Sequence, residues 1–553
     1  MFPFLDDIAA NYVSTRPFEL DTGSAKSFRF ARDALQTCIQ KHNKCTWPRD
    51  MFAHWETQFP TRLLNIQNLR GIYKVALVHS AEMDTPLKDE LHMSGYSVLS
   101  YCWGGNQELK LTADTLHRLQ AGIDTRELPR TLQDAVRVSN ALGLPFIWID
   151  ALCVAQDDGT DKEREIARMP LYYGRSMVAL SAARAGSCAD GFLGKGKSDI
   201  GFRYGPFAIS CDTPAGRGTV QLFWPRGLPT EPIHTRAWTL QESIFPPRIL
   251  IYASSQLYWR CQERVVDCHD TPYFDYRDQL FKYNPYGIDE GSGNNWPHTV
   301  MQYSKRHLTV ASDKLFAIAA LAELMVQTAA GGLTYVAGLL VDRSRPRTWI
   351  TQLAWAADPP RSMRRTTLFR APSWSWACGD GPVNLDWFRM SGLLEPFLDD
   401  AVFRVNEMTV ELSSESAPFG AVKSAFLSVS GRARRILSPA GIEICFPNEG
   451  WNGYRSITEL SLFPDTEEDG LAVEQCVASR SGNASVYFLE LALVHYKSSC
   501  WQAFGLILQQ NPEQGPNVYI RLGMFAWRTP EDILAKTRAE AFFDEMLENI
   551  ILV

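Results

Sequence analysis

The stretch Leu128–Asp150, LPRTLQDAVRVSNALGLPFIWID, decides the fold. Thr131 reads as an N-cap, with Asp134 three residues later in the capping-box position. Leu132, Ala135, Val136, Ser139 and Leu142 recur at helical spacing, and Gly143 with Pro145 stops the helix. Phe146–Ile149 is a short, wholly apolar run of the kind that forms a strand buried on both faces. Upstream, GYSVLSYCWGG (95–105) reads as another strand, ending in Trp103 and two glycines. Strand, helix and strand with short connections predict a parallel βαβ unit.

The same alternation continues outward. DKEREIARMPLYYG (161–174) is an amphipathic helix and SMVALSAA (176–183) a third buried strand. Residues 184–230 are rich in Gly and Pro and read as an excursion. HTRAWTLQESIFPPRIL (234–250) predicts a helix stopped by Pro246–Pro247, and ILIYASSQLYWRC (249–261) a strand pair. Before the unit, ARDALQTCIQKHNKC (31–45) looks helical, and PTRLLNIQ (60–67) with KVALVHS (74–80) forms a hairpin. After it, residues 265–300 look loop-rich. SKRHLTVASDKLFAIAALAELM (304–325) is helical, with Ser312 capping its second part, and APSWSWA (371–377) is a short strand. Beyond about 385 the texture becomes strand-like runs between polar turns, closed by a helix near 530–548. The expected divisions are a lead-in (1–85), an α/β core (86–265), a helical extension of it (266–384) and a β-rich C-terminal domain (385–553).

Bulk properties exclude some function classes. The chain has 553 residues, 45% apolar and 21% charged, an ordinary globular composition. A net charge of -7 gives no basic field, so nucleic acid is not an expected partner. The most apolar segment, Leu315–Val341, is interrupted by Glu323, Gln327 and Gly331–Gly332. It reads as a buried helix and strand rather than a membrane span, which needs about 20 nearly uninterrupted apolar residues. MFPFLDDIAANY has neither a basic start nor a long apolar run. The twelve cysteines are thinly spread, which fits free thiols in a reducing compartment; a cytoplasmic location is expected.

Cys38, His42 and Cys45 form C-x3-H-x2-C. Three soft ligands so close could hold zinc, but a structural site takes four, and no fourth is evident nearby. The preferred reading is a helix end carrying two unpaired thiols, and no metal ligand is assigned. CQERVVDCH (261–269) has two thiols and a histidine but no second pair to complete a zinc knuckle. No nucleophile elbow, H-E-x-x-H or P-loop is present.

Several stretches together resemble the heterokaryon incompatibility (HET) domain of filamentous fungi. They are YSVLSYCWGG, LPRTLQDAVRVSNALGLPFIWIDALCVAQDD, MPLYYGRSMVALSAA and TRAWTLQESIFPPRILIY, in that order. LTVASDKLFAIAALA and APSWSWA resemble segments that commonly follow the domain, and C-x3-H-x2-C with PTRLLNI its usual lead-in. The resemblance implies a role in non-self recognition and programmed cell death. It also implies a flavodoxin-like α/β fold similar to the Toll/interleukin-1 receptor (TIR) domain, with insertions. Some TIR domains hydrolyse NAD with a helical glutamate; Trp238 and Glu242 in WTLQE match the Trp-Cys-x-x-Glu pattern that carries it. The chain departs from the usual Asp-x-Leu-Cys-Ile-Asn-Gln at Ala155, in Asp150-Ala-Leu-Cys153-Val-Ala155-Gln156.

Ligands of open α/β sheets bind beyond the carboxyl ends of the strands. Asp150 ends one predicted strand, and Tyr101, Trp103 and Gly104 follow another, so both fall at one rim. Asp150 and Gln156 read equally as ligand contacts or as loop caps; Cys153 reads rather as a small buried apolar residue. Glu242 and Trp238, four apart, share a helix face. A carboxylate there could stabilise the cation formed when a nicotinamide–ribose bond breaks, or simply pair with Arg236 or Arg248 while Trp238 fills the core. Arg236 could hold a phosphate through its fork of donors. YCWGG is a weak phosphate signal.

Three functions follow. One is a cell-death effector hydrolysing NAD, with Glu242 and Asp150 as the catalytic pair and no required cofactor. Another is a non-catalytic signalling or assembly module, acting through self-association or an incompatibility partner. A third is a HET-like scaffold adapted to secondary metabolism, binding a small molecule at the Asp150/Glu242 rim.

Overall fold

Four short strands carry the architecture because their residues tolerate burial on both faces. They are Ser97–Ser100, Phe146–Trp148, Val178–Ser181 and Arg248–Tyr252, and all of the first three are buried throughout. A computed structural model describes residues 2–3, 7–13, 21–45, 59–69, 72–195, 202–225, 230–267, 296–329, 332–344, 349–385, 403–415, 417–435, 444–446, 460–478, 486–496, 500–528 and 545–553. It divides into two compact units, Met1–Gly287 and Ile288–Val553. The segment expected to extend the α/β core, 266–384, therefore falls mostly in the second unit.

In the first unit the strands of the central sheet are β1 (Arg62–Leu69), β2 (Ile72–His79), β3 (Ser97–Ser100), β4 (Ile123–Asp124), β5 (Phe146–Trp148), β6 (Val178–Ser181), β7 (Arg248–Tyr252), β8 (Leu257–Cys261) and β9 (Val265–Asp267). The nine strands lie in the order β9-β8-β7-β6-β3-β5-β1-β2-β4. Only β5, β3, β6 and β7 run parallel to one another; every outer pair is antiparallel. Numbered along the chain, the parallel strands stand as 2-1-3-4, the flavodoxin-like order. The fold is thus a mixed sheet with a doubly wound parallel heart. The expected hairpin forms, and β1 joins the sheet beside β5, Leu64 opposite Ile147 and Asn65 opposite Phe146.

The helices are α1 (Ala25–Lys41), α2 (Thr85–Ser94), α3 (Ala113–Ala121), α4 (Arg130–Ala141), the single turn α5 (Asp150–Cys153), α6 (Gly159–Gly174) and α7 (Thr239–Ile244). Reversing direction after β5 places consecutive crossovers on opposite faces of the sheet. α1 packs with α4, and α6 with α7. Three local expectations are corrected. Pro129, not Thr131, precedes α4, without a side-chain cap. Thr131 instead donates to the Ser187 carbonyl, 3.0 Å, and accepts from the Gly191 N–H, 3.1 Å. Asp134 likewise turns to the backbone of Phe192 and Leu193, at 2.8 and 3.0 Å. The long helix read over 234–250 shortens to α7, because Arg236 and Trp238 lie in a turn before it. The excursion at 184–230 contains a hairpin, Phe202–Thr213 with Gly216–Pro225.

The second unit holds the helix Phe316–Thr328, preceded by a 3-10 turn that Val310 rather than Ser312 leads into. Among the described residues its main sheet has eight strands. The last, Glu545–Leu552, pairs with both Val422–Arg435 and Val518–Arg528 and so closes strands that would otherwise expose edges. Of the helix expected near 530–548, residues 545–548 are strand; residues 529–544 lie outside the described residues, as does most of the loop-rich 265–300. APSWSWA is not a strand: Ser375 caps a 3-10 turn at Trp376–Cys378. Its indoles are wholly buried and satisfied by carbonyls, Trp376 Nε1 donating to Gly338 at 2.7 Å and Trp374 Nε1 to Leu552 at 3.2 Å. Trp296 and Trp355 do the same, so this part of the tryptophan excess is core. No helix among the described residues is long and apolar enough to cross a membrane.

Candidate functional site

The site grows from the register of the parallel strands. Ser100 lies opposite Ser181 where β3 and β6 both end, the place where the strand order reverses and a crevice opens. α7 is set against this end. Glu242, only 5% exposed, accepts a hydrogen bond from the Ser100 hydroxyl at 2.5 Å. Burial pushes its carboxyl up to about 7, against the pull of Arg236 and Ser100 towards the ionised form. Tyr173, from α6, packs at the same place and donates to the Leu99 carbonyl at 2.8 Å.

Beside Glu242 is a small, partly open hollow lined by Met169, Pro170, Tyr173, Trp238, Gln241, Glu242 and Phe245. Its enclosed room is about that of one water molecule, so a ring would enter only as the lining side chains move aside. Gln241 Oε1 is buried there without a hydrogen-bond partner. A buried acceptor left unpaired costs about 1–3 kcal/mol, and a donor on an incoming molecule would satisfy it.

The residues expected at the rim divide into two groups. Trp238 and Glu242 share the hollow. Asp150 and Trp103 form a pair of their own after β5 and β3, the indole donating to Asp150 Oδ2 at 2.9 Å, and neither lines the hollow. Burial raises the Asp150 carboxyl, while Arg236 and the Trp103 N–H draw it back. Arg236 links the groups: its guanidinium donates to the Tyr101 carbonyl, and its charge acts on both carboxylates.

The other candidates make their contacts within the chain. The Tyr101 hydroxyl donates to Gln107 at 2.8 Å. Gln156 donates to the carbonyls of Val154 and Asp150, at 2.9 and 3.3 Å. Cys153 is fully buried and its thiol is pushed up to about 12 by desolvation, so it is no nucleophile near neutral pH. Gly104 has φ +74°, and a Cβ there would fall 2.1 Å from Ser187 Cβ; the close approach it permits is to the chain itself. Sequence reading missed Ser100, Tyr173 and Gln241. Ser100 was open to the strand-end rule, being the last residue of β3; the other two carry no local signal.

This geometry defines an α/β domain with a buried carboxyl at its strand-switch point. Residues 96–242 match the family model of the Heterokaryon incompatibility protein (HET). The matched stretch runs from just before β3 to Glu242 itself. No curated protein and no solved structure matches the chain.

Proposed function

We propose that the chain is an effector of incompatibility-type cell death that cleaves NAD at the nicotinamide–ribose bond, with Glu242 as its catalytic carboxylate. The observation that carries this reading is the place of Glu242: buried, at the switch point, bonded to Ser100 and beside a small hollow that Trp238 also lines. A pyridinium ring in that hollow lowers the carboxyl's pKa by its charge. Bond cleavage then moves the positive charge onto the ribose, where the ionised Glu242 stabilises the oxocarbenium-like state. Water adds to the ribose carbon, giving nicotinamide, ADP-ribose and a proton. Gln241 offers its free acceptor to the leaving carboxamide N–H. Arg236 and Asp150 act as positioning residues that set the field around Glu242.

The test incubates the purified full chain with NAD and measures free nicotinamide. Release that falls at least about 100-fold in Glu242→Gln supports the reading; release unchanged in that variant removes Glu242 from the role. The near-complete burial of Glu242 favours one competing reading, a non-catalytic assembly module. That reading expects no nicotinamide release, with cell killing retained in Glu242→Ala.

A further inference from the structure

Four metal-binding side chains from two distant stretches meet at one point of the first unit. Cys38 lies in the last turns of α1, His42 caps that helix, Cys45 follows in the next turn, and Cys261 ends β8. All four donor atoms lie within 4.8 Å of one another. His42 Nδ1 is 3.3 Å from Cys261 Sγ and 3.8 Å from Cys45 Sγ. A tetrahedral zinc, with bonds of about 2.3 Å to sulfur and about 2.0 Å to nitrogen, holds its ligand atoms roughly 3.5–3.8 Å apart. The three cysteines are buried and His42 partly so.

A guanidinium lies against the cluster. Arg248, at the start of β7, donates from Nε to Cys38 Sγ at 3.2 Å. Its other bonds go to backbone carbonyls, Cys45 at 3.0 Å and Met177 at 3.4 Å. Among the described residues no carboxylate pairs with it, and a part-buried guanidinium calls for an anion. Three thiolates, one neutral imidazole and Zn²⁺ sum to a single negative charge. Arg248 is placed to balance it, as groups outside the ligand set commonly do.

We propose that Cys38, His42, Cys45 and Cys261 form a structural zinc site that pins the end of α1 to β8. All four positions are filled by protein, which leaves no open coordination site for catalysis. The fourth ligand lies 219 residues beyond His42, so the C-x3-H-x2-C spacing alone could not reveal it.

The test is elemental analysis of the full chain, purified with reduced thiols and without a polyhistidine tag or chelator. The expected result is about one zinc per chain. It drops to background in Cys261→Ser and is unchanged in Cys211→Ser, a thiol outside the cluster. Cys261→His, which restores four ligands, regains the metal even if Cys261→Ser folds poorly. Cobalt(II) in place of zinc gives a thiolate-to-cobalt charge-transfer band in the parent. Less than about 0.1 zinc per chain after incubation with Zn²⁺, or full metal content in Cys261→Ser, overturns the proposal.

Discussion

Ser100 and Glu242 stand 142 residues apart in the chain and 2.5 Å apart in space, the serine hydroxyl donating to the glutamate's Oε2. The bond favours the ionised carboxyl in surroundings that otherwise disfavour it. Ser100→Ala removes this support, and a hydrogen bond to a charged group is worth about 1.5–3 kcal/mol. If Glu242 must be ionised to act, the rise of kcat/KM with pH, which reports the free enzyme and is centred near 7 in the parent, moves up by about one to two units. A pH–rate profile of the two proteins checks this; a fall in rate with no displacement of the midpoint contradicts it.

Glu242 also makes stability depend on pH. Its carboxyl is raised from an ordinary 4.5 to about 7, so the folded state holds the proton more tightly than the unfolded chain. That contribution is complete below pH about 4.5 and is lost as the pH climbs through about 7. Glu242→Gln stays neutral throughout. The variant is therefore expected to be more stable than the parent at pH 8, by on the order of 2–3 kcal/mol, and close to it at pH 5. Urea titrations at both pH values decide the matter. A stability difference that does not change with pH would show that the carboxyl is not raised.

The two glycines after Trp103 predict opposite sensitivities. At Gly104 an added Cβ meets Ser187 Cβ at 2.1 Å and Ser187 Cα at 2.7 Å, so Ala must push the 186–190 turn away. Gly105 has φ +128° but open space around it. Both substitutions carry the backbone cost of a positive φ, about 1 kcal/mol, and only Gly104→Ala adds a clash. It should lose roughly 2 kcal/mol or more beyond Gly105→Ala, read as a difference in melting temperature. Equal losses would mean that the turn yields freely.

In the second unit, Arg521 and Asp465 are both wholly buried, the guanidinium donating to Asp465 Oδ2 and Oδ1 at 3.0 and 3.1 Å. Arg521 also stacks on Trp355, 3.6 Å from the ring centre. Arg521→Met leaves the buried Asp465 with only Arg365, 3.8 Å away and shared with Asp469, as counter-charge, and is expected to cost about 3 kcal/mol. The double variant with Asp465→Leu should recover much of that loss. Denaturation of the single and double variants measures the coupling; additive losses would show that the pair is not the source.

The parallel heart was legible because its signals are local: a wholly apolar FIW strand, helical spacing over 132–142, and short turns between. Where β1 would dock was not, since a hairpin's sequence specifies its own register but not the edge it joins. Thr131 and Asp134 have the residue types and spacing of a capping box, yet bond to the chain at 187–193. The alternation in SWSWA imitates a strand; its indoles alternate because each seeks a separate buried carbonyl. At the site, Trp238 and Glu242 were found together through helical spacing and one resemblance. That Asp150 turns to Trp103 rather than to the hollow depends on packing across three strands, which no local pattern encodes.

The 2-1-3-4 strand order also sets a clock. Ribosomes add about 5–20 residues per second, so the 142 residues between Ser100 and Glu242 take roughly 7–28 s to synthesise. Throughout that interval the nascent chain carries the serine with no carboxylate to receive it. If Glu242 carries the chemistry proposed for it, that chemistry is withheld until translation has passed α7.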